Sequence, residues 1–546
     1  TAAVFLVVSA LVFIRPDPVE AWSSSDAAVL LIEHGTWQTW PSNPPSDTAV
    51  DSSGNSYITG SIREASDCCG NGFDVYVSKV NSSGSIVWTK VFETVPGGVG
   101  FWTNSGNDEG EAITVDSSGN VYITGIYRST VDFDPGPGTM ELTNSGGGLH
   151  YDIFIVKLDS SGNLVWAKSV GVNGQDFVED IAVDSSGNVY VTGQIRSEHN
   201  DFDPGPGTVT IPYNGVAHQN DTNAFILKLD SSGNYVWAKS LGGTDPTPTA
   251  GIWGKRLAID SSGFVYIAGE FGQSIDLDPN TGIEKFTSNA HTDFFVLKLD
   301  SSSNYVWAKT FGSDLQNKPD GVSSIAVDSS GNIIIGGWFR GRNVDFDPGP
   351  GTAELDAYPA GQGINQESTG FILKLDSSGN YVWVKQPGTT GVKNVVIDSS
   401  NNIHMSGVFS GTRDFDPNEG IAELTSTLQA TFTSKWDSAG NYIWAKKIDS
   451  SNGHLKAGGL GVDSSGNVYR VSSWLSDYTI DFGNGVGIPN PTETSGSFLA
   501  KFDSSGNLAP GVAATPPGFT LSTTSVSVAE SGTTATFSVV LDAQPA

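Results

Sequence analysis

The sequence predicts an all-β fold: a seven-bladed β-propeller of four-stranded antiparallel blades, closed by an N-terminal strand and followed by the start of a β-sandwich. Three observations lead to this prediction. The pentapeptide Asp-Ser-Ser-Gly-Asn, or a close variant, occurs fourteen times. Its copies alternate strictly between two sequence contexts, with seven copies in each. Apolar and polar residues alternate on both sides of the copies, as is typical of half-buried strands around a hairpin turn.

The two contexts give two kinds of hairpin. In the first context the turn joins two strands rich in β-branched residues, as in residues 181–193, and in the second it precedes a tryptophan-containing strand, as in residues 156–168. Two hairpins make four strands, and four-stranded units repeated radially are typical of a β-propeller. A β-sandwich predicts neither the alternation nor the count of seven. The turns begin at Asp51, Asp116, Asp184, Asp260, Asp328, Asp398 and Asp463 in the first context, and at Asn81, Asp159, Asp230, Asp300, Asp376, Asp437 and Asp503 in the second.

The turn sequence itself predicts a tight bend. Asp accepts a hydrogen bond from the backbone two residues on, and Gly supplies a positive φ. Two turns lack the glycine: Ser303 follows Asp300 and Asn401 follows Asp398. We expect both replacements to be left-handed, a conformation that Asn tolerates better than Ser.

The last unit is incomplete, and this predicts how the ring closes. Units one to six end in a fourth strand with Trp88, Trp166, Trp237, Trp307, Trp383 and Trp444, whereas the seventh stops after Asn507. A spare strand lies in 29–39, with Trp37. We predict that this segment completes the seventh blade, which avoids exposed sheet edges. The lysine two residues after each of the six tryptophans is expected on the outer edge strand, where its charge discourages edge-to-edge pairing.

A second repeated motif, Asp-Phe-Asp-Pro with one Leu variant, lies between the two hairpins of five units. Unit seven keeps only Asp481-Phe482, and unit one has Asp67-Cys68-Cys69-Gly70 instead. The two aspartates project to the same side of an extended segment, and paired carboxylates with loop carbonyls are suitable Ca²⁺ ligands. In the structural alternative, which we favour, the Phe fills the top of the blade and the second Asp caps a turn. The candidate metal ligands are Asp132, Asp134, Asp201, Asp203, Asp276, Asp278, Asp345, Asp347, Asp414 and Asp416.

These motifs resemble known repeat families. The first hairpin resembles the NHL-type propeller motif, and the second resembles the tryptophan motif of quinoprotein-type propellers. With the inserted Asp-Phe-Asp-Pro-Gly loops, the units over residues 28–507 resemble the bacterial SBBP-type β-propeller repeat. The resemblance implies the fold and a secreted or surface location, and no assigned activity.

The two ends predict further segments. An apolar run in 2–14 and the small-residue site Val19-Glu20-Ala21 are typical of a signal peptide, with a buried N-terminal strand as the alternative. Near the C-terminus, residues 525–532 and 537–541 resemble the first two strands of a Calx-β-type sandwich, a family in which the residue matching Glu530 contributes to calcium binding. We therefore predict a signal-peptide remnant at 1–21, the propeller at 22–510, a linker at 511–518, and a truncated Calx-β-like module at 519–546.

Composition and motifs weigh against several functions. The net charge of −31 argues against binding a nucleic-acid backbone, and it suits a soluble extracellular protein or one that binds cations. The seven histidines occupy unrelated repeat positions, and no Gly-x-Ser-x-Gly nucleophile motif stands at a strand–helix junction. The apolar N-terminal run is short for a membrane span, so we expect none in the mature chain.

The only two cysteines, Cys68 and Cys69, are adjacent. They predict an intermolecular link, two free thiols or a strained vicinal disulfide. A vicinal disulfide lies beside the cofactor in some quinoprotein dehydrogenases, so the resemblance raises a PQQ enzyme as an alternative. Against this alternative, those enzymes have eight blades, and no matching set of cofactor-binding residues is present.

The segments joining the second and third strands are long, and long loops on a rigid scaffold often carry function. They contain aromatic and cationic groups suited to a glycan or protein ligand: Arg128, Tyr151, His199, Tyr213, His218, Trp338, Arg340, Arg342 and Tyr358. We therefore expect a secreted or cell-surface bacterial binding or structural module that is not an enzyme, with calcium stabilisation as a hypothesis. The alternatives are an extracellular lyase, hydrolase or PQQ-type quinoprotein with a site in the propeller channel, and a purely architectural repeat in an adhesin-like polymer.

Overall fold

A computed structural model of the 546-residue chain confirms the predicted propeller. The described residues form strands, turns and loops, with no helix among them. The structure describes residues 29–32, 45–62, 73–95, 108–145, 150–171, 176–196, 200–213, 222–242, 251–288, 292–313, 320–357, 368–451, 453, 455–475, 480–482, 487–488, 495–508, 519–521 and 539–541. The predicted signal-peptide remnant, linker, Trp37 and Cys68-Cys69 lie outside these residues.

Seven four-stranded antiparallel sheets form the blades, which we number in chain order. From the innermost to the outermost strand, blade 1 has Asp47–Val50, Ser56–Ile62, Asp74–Val80 and Ile86–Thr94; blade 2 has Glu109–Val115, Val121–Tyr127, Asp152–Leu158 and Leu164–Val170; blade 3 has Phe177–Val183, Val189–Ile195, Asn223–Leu229 and Tyr235–Leu241; blade 4 has Ile252–Ile259, Val265–Phe271, Asp293–Leu299 and Tyr305–Phe311. Blade 5 has Gly321–Val327, Ile333–Phe339, Thr369–Leu375 and Tyr381–Lys385; blade 6 has Gly391–Ile397, Ile403–Asp414, Glu423–Trp436 and Tyr442–Ser450; blade 7 has Lys456–Val462, Val468–Leu475, Ser495–Phe502 and Val29–Ile32.

The N-terminal strand closes the ring as predicted. Val29–Ile32 is the outermost strand of blade 7, and it pairs antiparallel with Ser497–Ala500. The innermost strands of adjacent blades contact one another all the way round, including blade 7 against blade 1. Buried apolar residues fill the layers between neighbouring sheets, so the core is a ring of inter-blade interfaces.

Short antiparallel hairpins are inserted between the second and third strands. They comprise Thr130–Asp132 with Glu141–Thr143, Ser274–Asp276 with Lys285–Thr287, Val344–Asp345 with Glu354–Leu355, and Ile480–Asp481 with Gly487–Ile488. In blade 6 the long second and third strands continue into the same hairpin. Beyond the propeller, Phe519–Leu521 pairs with Val539–Leu541. The Calx-β-like identity of that C-terminal segment stays a prediction.

All fourteen turns have the same backbone hydrogen bond. In the first one, the Gly54 N–H donates to the Asp51 carbonyl oxygen at 3.0 Å, and Asp51 Oδ1 accepts bonds of 2.9 Å from the N–H groups of Ser53 and Asn55. The glycine is left-handed, with a φ of 78°. Ser303 and Asn401 adopt the same conformation, with φ values of 68° and 62°, which confirms the prediction for both turns.

Each blade reaches across to a second-context turn of the next blade. The Lys228 ammonium and the Trp237 indole N–H both donate to the Ser301 carbonyl oxygen, at 3.1 and 3.3 Å. The same carbonyl position accepts in each of the six other interfaces, and Lys501 donates to the Ser82 carbonyl at 3.0 Å, which joins blade 7 to blade 1.

The lysines of the outermost strands also reach the neighbouring blade. Lys239 Nζ donates to Asn280 Oδ1 at 2.8 Å, and Lys385 Nζ donates to Asn418 Oδ1 and the Gly440 carbonyl, both at 2.8 Å. The sequence predicted that these lysines protect an open sheet edge. Lys239 and Lys385 instead connect adjacent blades.

Replacing Ser303 with glycine should stabilise the protein, because a left-handed L-residue costs about 1–2 kcal/mol in the folded state. Glycine also makes the unfolded chain more flexible, and this offsets part of the gain. We expect the free energy of unfolding of Ser303→Gly to rise by about 0.5–1 kcal/mol, measured by urea denaturation. The matched control is Gly263→Ser, at a left-handed turn position where the nearest atom to a new Cβ lies 3.7 Å away. It should lose a similar amount, and an unchanged midpoint in both variants would contradict the strain argument.

Candidate functional site

The Asp-x-Asp-Pro loops are held together by backbone hydrogen bonds to their own aspartates. Asp132 Oδ1 accepts bonds from the N–H groups of Asp134 and Met140 at 3.0 and 2.7 Å, and Asp134 Oδ1 accepts one from Gly136 at 2.8 Å. The same three bonds occur in each of the other four loops. The first aspartate therefore closes the hairpin and the second caps its turn.

A glycine four residues after the second aspartate completes this motif. A Cβ atom on Gly138 would lie 2.1 Å from Asp134 Oδ2, and Gly207, Gly282, Gly351 and Gly420 would meet their aspartates equally closely. The repeated unit is therefore Asp-Pro-x-x-Gly, a pattern visible in the sequence that the prediction did not single out. Its glycine is required because the carboxylate occupies the space of a side chain.

The aromatic residue of the motif is buried between blades. Phe133 is fully buried, and its ring centroid lies 5.3 Å from that of Phe92 on blade 1 and 5.0 Å from that of Phe154 on blade 2. The hairpin also adds to the outermost strand of the preceding blade, where Asp132 pairs with Glu93. Phe202, Phe346, Phe415 and Phe482 are buried at equivalent positions. These contacts support the structural role that we favoured.

The ten candidate metal ligands are not brought together into one centre. They lie in five separate loops, two in each, and no group of three or more His, Cys, Asp or Glu residues in the described part of the chain is arranged to hold a metal ion. Calcium stabilisation stays a prediction.

The innermost strands converge on a central channel with unlike residues. The position five residues before each first-context turn aspartate is a β-bulge in blades 2 to 6, where two residues face one on the partner strand. From blade 1 to blade 7 this position holds Ser46, Glu111, Glu179, Lys255, Ser323, Lys393 and Gly458. Acidic residues therefore occupy one arc of the channel and basic residues another.

The charges of this ring interact within and across the channel. Lys255 Nζ lies 2.9 Å from Glu179 Oε1, and Arg256 Nη1 lies 3.8 Å from Glu179 Oε2. Lys393 of blade 6 interacts with Glu179 and Arg256 of blades 3 and 4, which are not its neighbours in the ring. The described side chains of several blades thus share one electrostatic environment.

Enclosure within the ring alters the ionisation of the channel carboxyls. Burial, together with the nearby Glu109 and Glu179, raises the pKa of Glu111 to about 8. Burial is also the main cause that raises the pKa of Glu270 to about 7 and that of Asp47 to about 7. The Lys393 side chain is exposed to solvent, but the protein atoms that surround it in the ring partly desolvate its ammonium group, and this lowers its pKa. Near neutral pH the channel therefore holds protonated carboxyl groups.

At the position after the bulge residue, side chains of blades 1, 3 and 5 link the innermost strands of neighbouring blades. Asp47 Oδ2 accepts a bond of 3.1 Å from the Ile113 N–H of blade 2, and Asp180 Oδ2 accepts one of 2.8 Å from the Leu257 N–H of blade 4. Ser324 Oγ accepts one of 2.9 Å from the Val395 N–H of blade 6. These side chains connect neighbouring innermost strands, so they are not available as free acids or hydroxyls.

Four half-buried aromatic rings lie along part of the channel mouth on the loop face, one from each of blades 2 to 5. Phe177 and Trp253 occupy equivalent positions on adjacent innermost strands, two residues before the bulge. Tyr151 lies beside Phe177, with ring centroids 6.0 Å apart, and the Trp338 ring covers Gly321, the equivalent position of blade 5. We call Tyr151, Phe177, Trp253 and Trp338 the aromatic arc.

Three arginines rest on the aromatic arc. The guanidinium carbons of Arg128, Arg196 and Arg340 lie 4.1, 5.1 and 5.3 Å from the ring centroids of Tyr151, Phe177 and Trp338. All three stand twelve residues after the first-context turn aspartate of their blade. We call them the arginine set. The distances are those of cation–π contacts.

Of the residues predicted on the long loops, Arg128, Tyr151, Trp338 and Arg340 belong to this mouth, whereas Arg342 is exposed and Tyr213 packs against the core between blades 2 and 3. His199, His218 and Tyr358 lie outside the described residues. Sequence reasoning missed Phe177, Trp253 and Arg196. Their fixed distances from the turn aspartates were the signal that could have found them.

Comparison with known proteins supports the repeat. Residues 98–125, 165–202 and 236–270 match the family described as SBBP, a beta-propeller repeat. An uncharacterized WD repeat-containing protein of Acanthamoeba polyphaga mimivirus is 25% identical over 74% of this chain, and the regulatory protein FlaEY of Caulobacter vibrioides is 25% identical over 47%. The aligned regions span 33% and 26% of those two relatives, so the chain matches only part of their length.

Two solved structures match this chain over much of its length at low sequence identity. The polysaccharide lyase Uly1 is 11% identical with a TM-score of 0.43, covering 86% of this chain and 91% of that one. The propeller domain of the Trilobed protease from Pyrococcus furiosus is 7% identical with a TM-score of 0.37, covering 83% and 96%. Likenesses of this degree carry no functional information. No helix in the described part of the chain has the length and apolar character needed to cross a membrane.

Thermal melting distinguishes a purely structural role of the Asp-x-Asp-Pro loops from a calcium-binding role. Asp201→Ala leaves two backbone N–H groups without an acceptor and should cost about 1–3 kcal/mol, whereas Asp201→Asn keeps an oxygen and should change the melting temperature little. With a purely structural role, added calcium or chelator should not shift the melting temperature of either variant or the parent. A calcium-dependent rise in the parent that Asp201→Asn abolishes would establish the calcium hypothesis.

The raised carboxyl pKa values predict that stability falls as pH rises. Glu111 ionises near pH 4.5 in the unfolded chain and near 8 in the folded one, so its stabilising contribution is complete below about 4.5 and is lost as pH rises through about 8. Glu270 and Asp47 act in the same direction. We expect the urea midpoint to decrease between pH 5 and 8, and Glu111→Gln to flatten that decrease. Glu284→Gln, at an exposed position, is the control and should leave the slope unchanged.

Proposed function

We propose that this chain is a secreted or cell-surface binding module without enzymatic activity, and that its ligand is a glycan held at the channel mouth of the loop face. The observation that carries the proposal is the aromatic arc: four half-buried rings from consecutive blades along part of one opening. Sugar rings present C–H faces that pack on aromatic rings, while a few polar groups around them fix orientation.

Contacts between the blades hold the channel mouth in a fixed arrangement, which suits ligand binding. The hairpins and turns that support the mouth are joined blade to blade by buried phenylalanines and by the lysine and tryptophan bonds described above. Rings held on such a scaffold lose little conformational freedom when a ligand binds, which favours affinity. The acidic composition and the apolar N-terminal run support an extracellular location.

A glycan microarray followed by isothermal titration calorimetry tests the proposal. Trp253→Ala and Trp338→Ala should each weaken the binding of a captured glycan about tenfold or more, because a lost aromatic contact is worth on the order of 1.5 kcal/mol. Trp383→Ala on an outermost strand is the matched control and should bind normally once its folding has been verified. Equal affinity in all three variants, or capture of peptides alone, would contradict a glycan site at this mouth.

A second candidate function is acid–base catalysis in the channel, as in a hydrolase or lyase. It is favoured by the convergence of Glu111, a carboxyl group of raised pKa, with Arg256, which also interacts with Lys393, since catalytic acids and bases have pKa values near the working pH. The binding proposal is preferred because Lys255 and Arg256 are already engaged in ion pairs with Glu179.

Product analysis distinguishes the two functions. A binding module releases no new reducing ends from a bound glycan after prolonged incubation, and this is the result we expect. Release that Glu111→Gln abolishes, with binding retained, would establish the catalytic function instead.

A further inference from the structure

We infer that the ligand of the channel mouth is an anionic saccharide, recognised through the arginine set by the carboxylate or sulfate groups on its sugars. The inference rests on the proposed function and specifies the ligand chemistry. Arg128, Arg196 and Arg340 come from three different blades, and each is stacked on a ring of the same mouth. A guanidinium stacked by its face keeps its in-plane N–H groups for a planar anion, which it binds in a bidentate manner.

Each of these arginines occurs together with an aspartate at a fixed position of the same blade. An aspartate eight residues before the first-context turn occurs only in blades 2, 3 and 5, as Asp108, Asp176 and Asp320, and these blades carry the three arginines. Asp108 Oδ1 accepts a bond of 2.9 Å from the Arg128 backbone N–H, and Asp320 Oδ1 accepts one of 2.7 Å from the Arg340 backbone N–H. Each of these two carboxyl groups thus fixes the backbone at its arginine and also interacts electrostatically with the guanidinium.

Two guanidinium groups of this set, those of Arg128 and Arg340, keep hydrogen-bonding capacity that the fold does not use. Within the described chain, neither Arg128 nor Arg340 forms an ion pair, and the buried Nε atom of each has no hydrogen-bond partner. Lys255 and Arg256, by contrast, are engaged with Glu179 deeper in the channel. A stacked, ordered guanidinium with unused N–H donors favours an anionic ligand, because the ordering of its side chain precedes binding.

The negative net charge of the chain limits how the three arginines can attract a ligand. With 59 acidic and 28 basic residues, the protein repels anionic polymers in general. Three cations gathered on one aromatic mouth must therefore act locally, through contact and not through long-range attraction. A mixed surface of rings and guanidinium groups suits a polymer whose repeating unit presents both a C–H face and an anionic group.

Titration of the full chain with three polymers tests the inference: polygalacturonate, which carries carboxylates, dextran sulfate, which carries sulfate esters, and neutral dextran. We expect binding to an anionic polymer at least tenfold tighter than to dextran, because a charge-assisted bidentate bond is a strong one. Arg128→Gln and Arg340→Gln should each weaken it about tenfold. Arg342→Gln, which removes an exposed arginine on the same face, should have no effect.

The outcomes separate this inference from the proposed function. A preference for polygalacturonate assigns carboxylates, and a preference for dextran sulfate assigns sulfates. Dextran bound as tightly as either, in a manner that Trp253→Ala or Trp338→Ala abolishes, would overturn the anionic ligand and leave the glycan site in place. Binding to an anionic polymer that Arg128→Gln, Arg340→Gln and Arg342→Gln weaken equally would also overturn the inference, as would binding to none of the three polymers.

Discussion

The fold depends on how each blade is attached to the next. A propeller has no continuous sheet, so the interfaces between blades must supply what sheet hydrogen bonds supply elsewhere. Here one serine carbonyl of a turn accepts bonds from a lysine and a tryptophan of the preceding blade, as Ser301 does from Lys228 and Trp237. On the opposite face, a buried phenylalanine such as Phe133 lies between two blades. The two attachments fix both edges of each interface.

The residues that line the channel differ from blade to blade. Because the two outer faces carry the repeated contacts, the bulged positions of the innermost strands need not be alike. Glu111, Lys255 and Gly458 occupy equivalent places, which a requirement for identical packing would not permit. The mouth above them gathers aromatic and cationic side chains from some blades and not from others. The symmetric scaffold therefore presents an asymmetric surface, and that surface is where we place binding.

Sequence repetition predicted the scaffold well and the site only in part. The turn count gave the number of blades, and the missing tryptophan strand of the seventh unit indicated the closing strand, because both follow from local patterns. The arginine set needed the structure, since Arg128 and Arg340 lie on blades 2 and 5 and come to the same face only when the ring is formed. Arg470 could not be predicted either: it lies fully buried where other blades have aliphatic residues, with Thr433 Oγ1 as a partner at 2.7 Å, and its environment depends on polar substitutions in blade 6.

The pairing of Val29–Ile32 with Ser497–Ala500 has a consequence for how the protein is made. Val29–Ile32 is synthesised before the rest of the propeller, so it must wait for nearly the whole ring before its partner exists. Contacts between such distant parts of a chain form slowly, and until then the edge of the third strand of blade 7 is unpaired and prone to aggregate. The ring therefore cannot close until residues 495–502 have been synthesised.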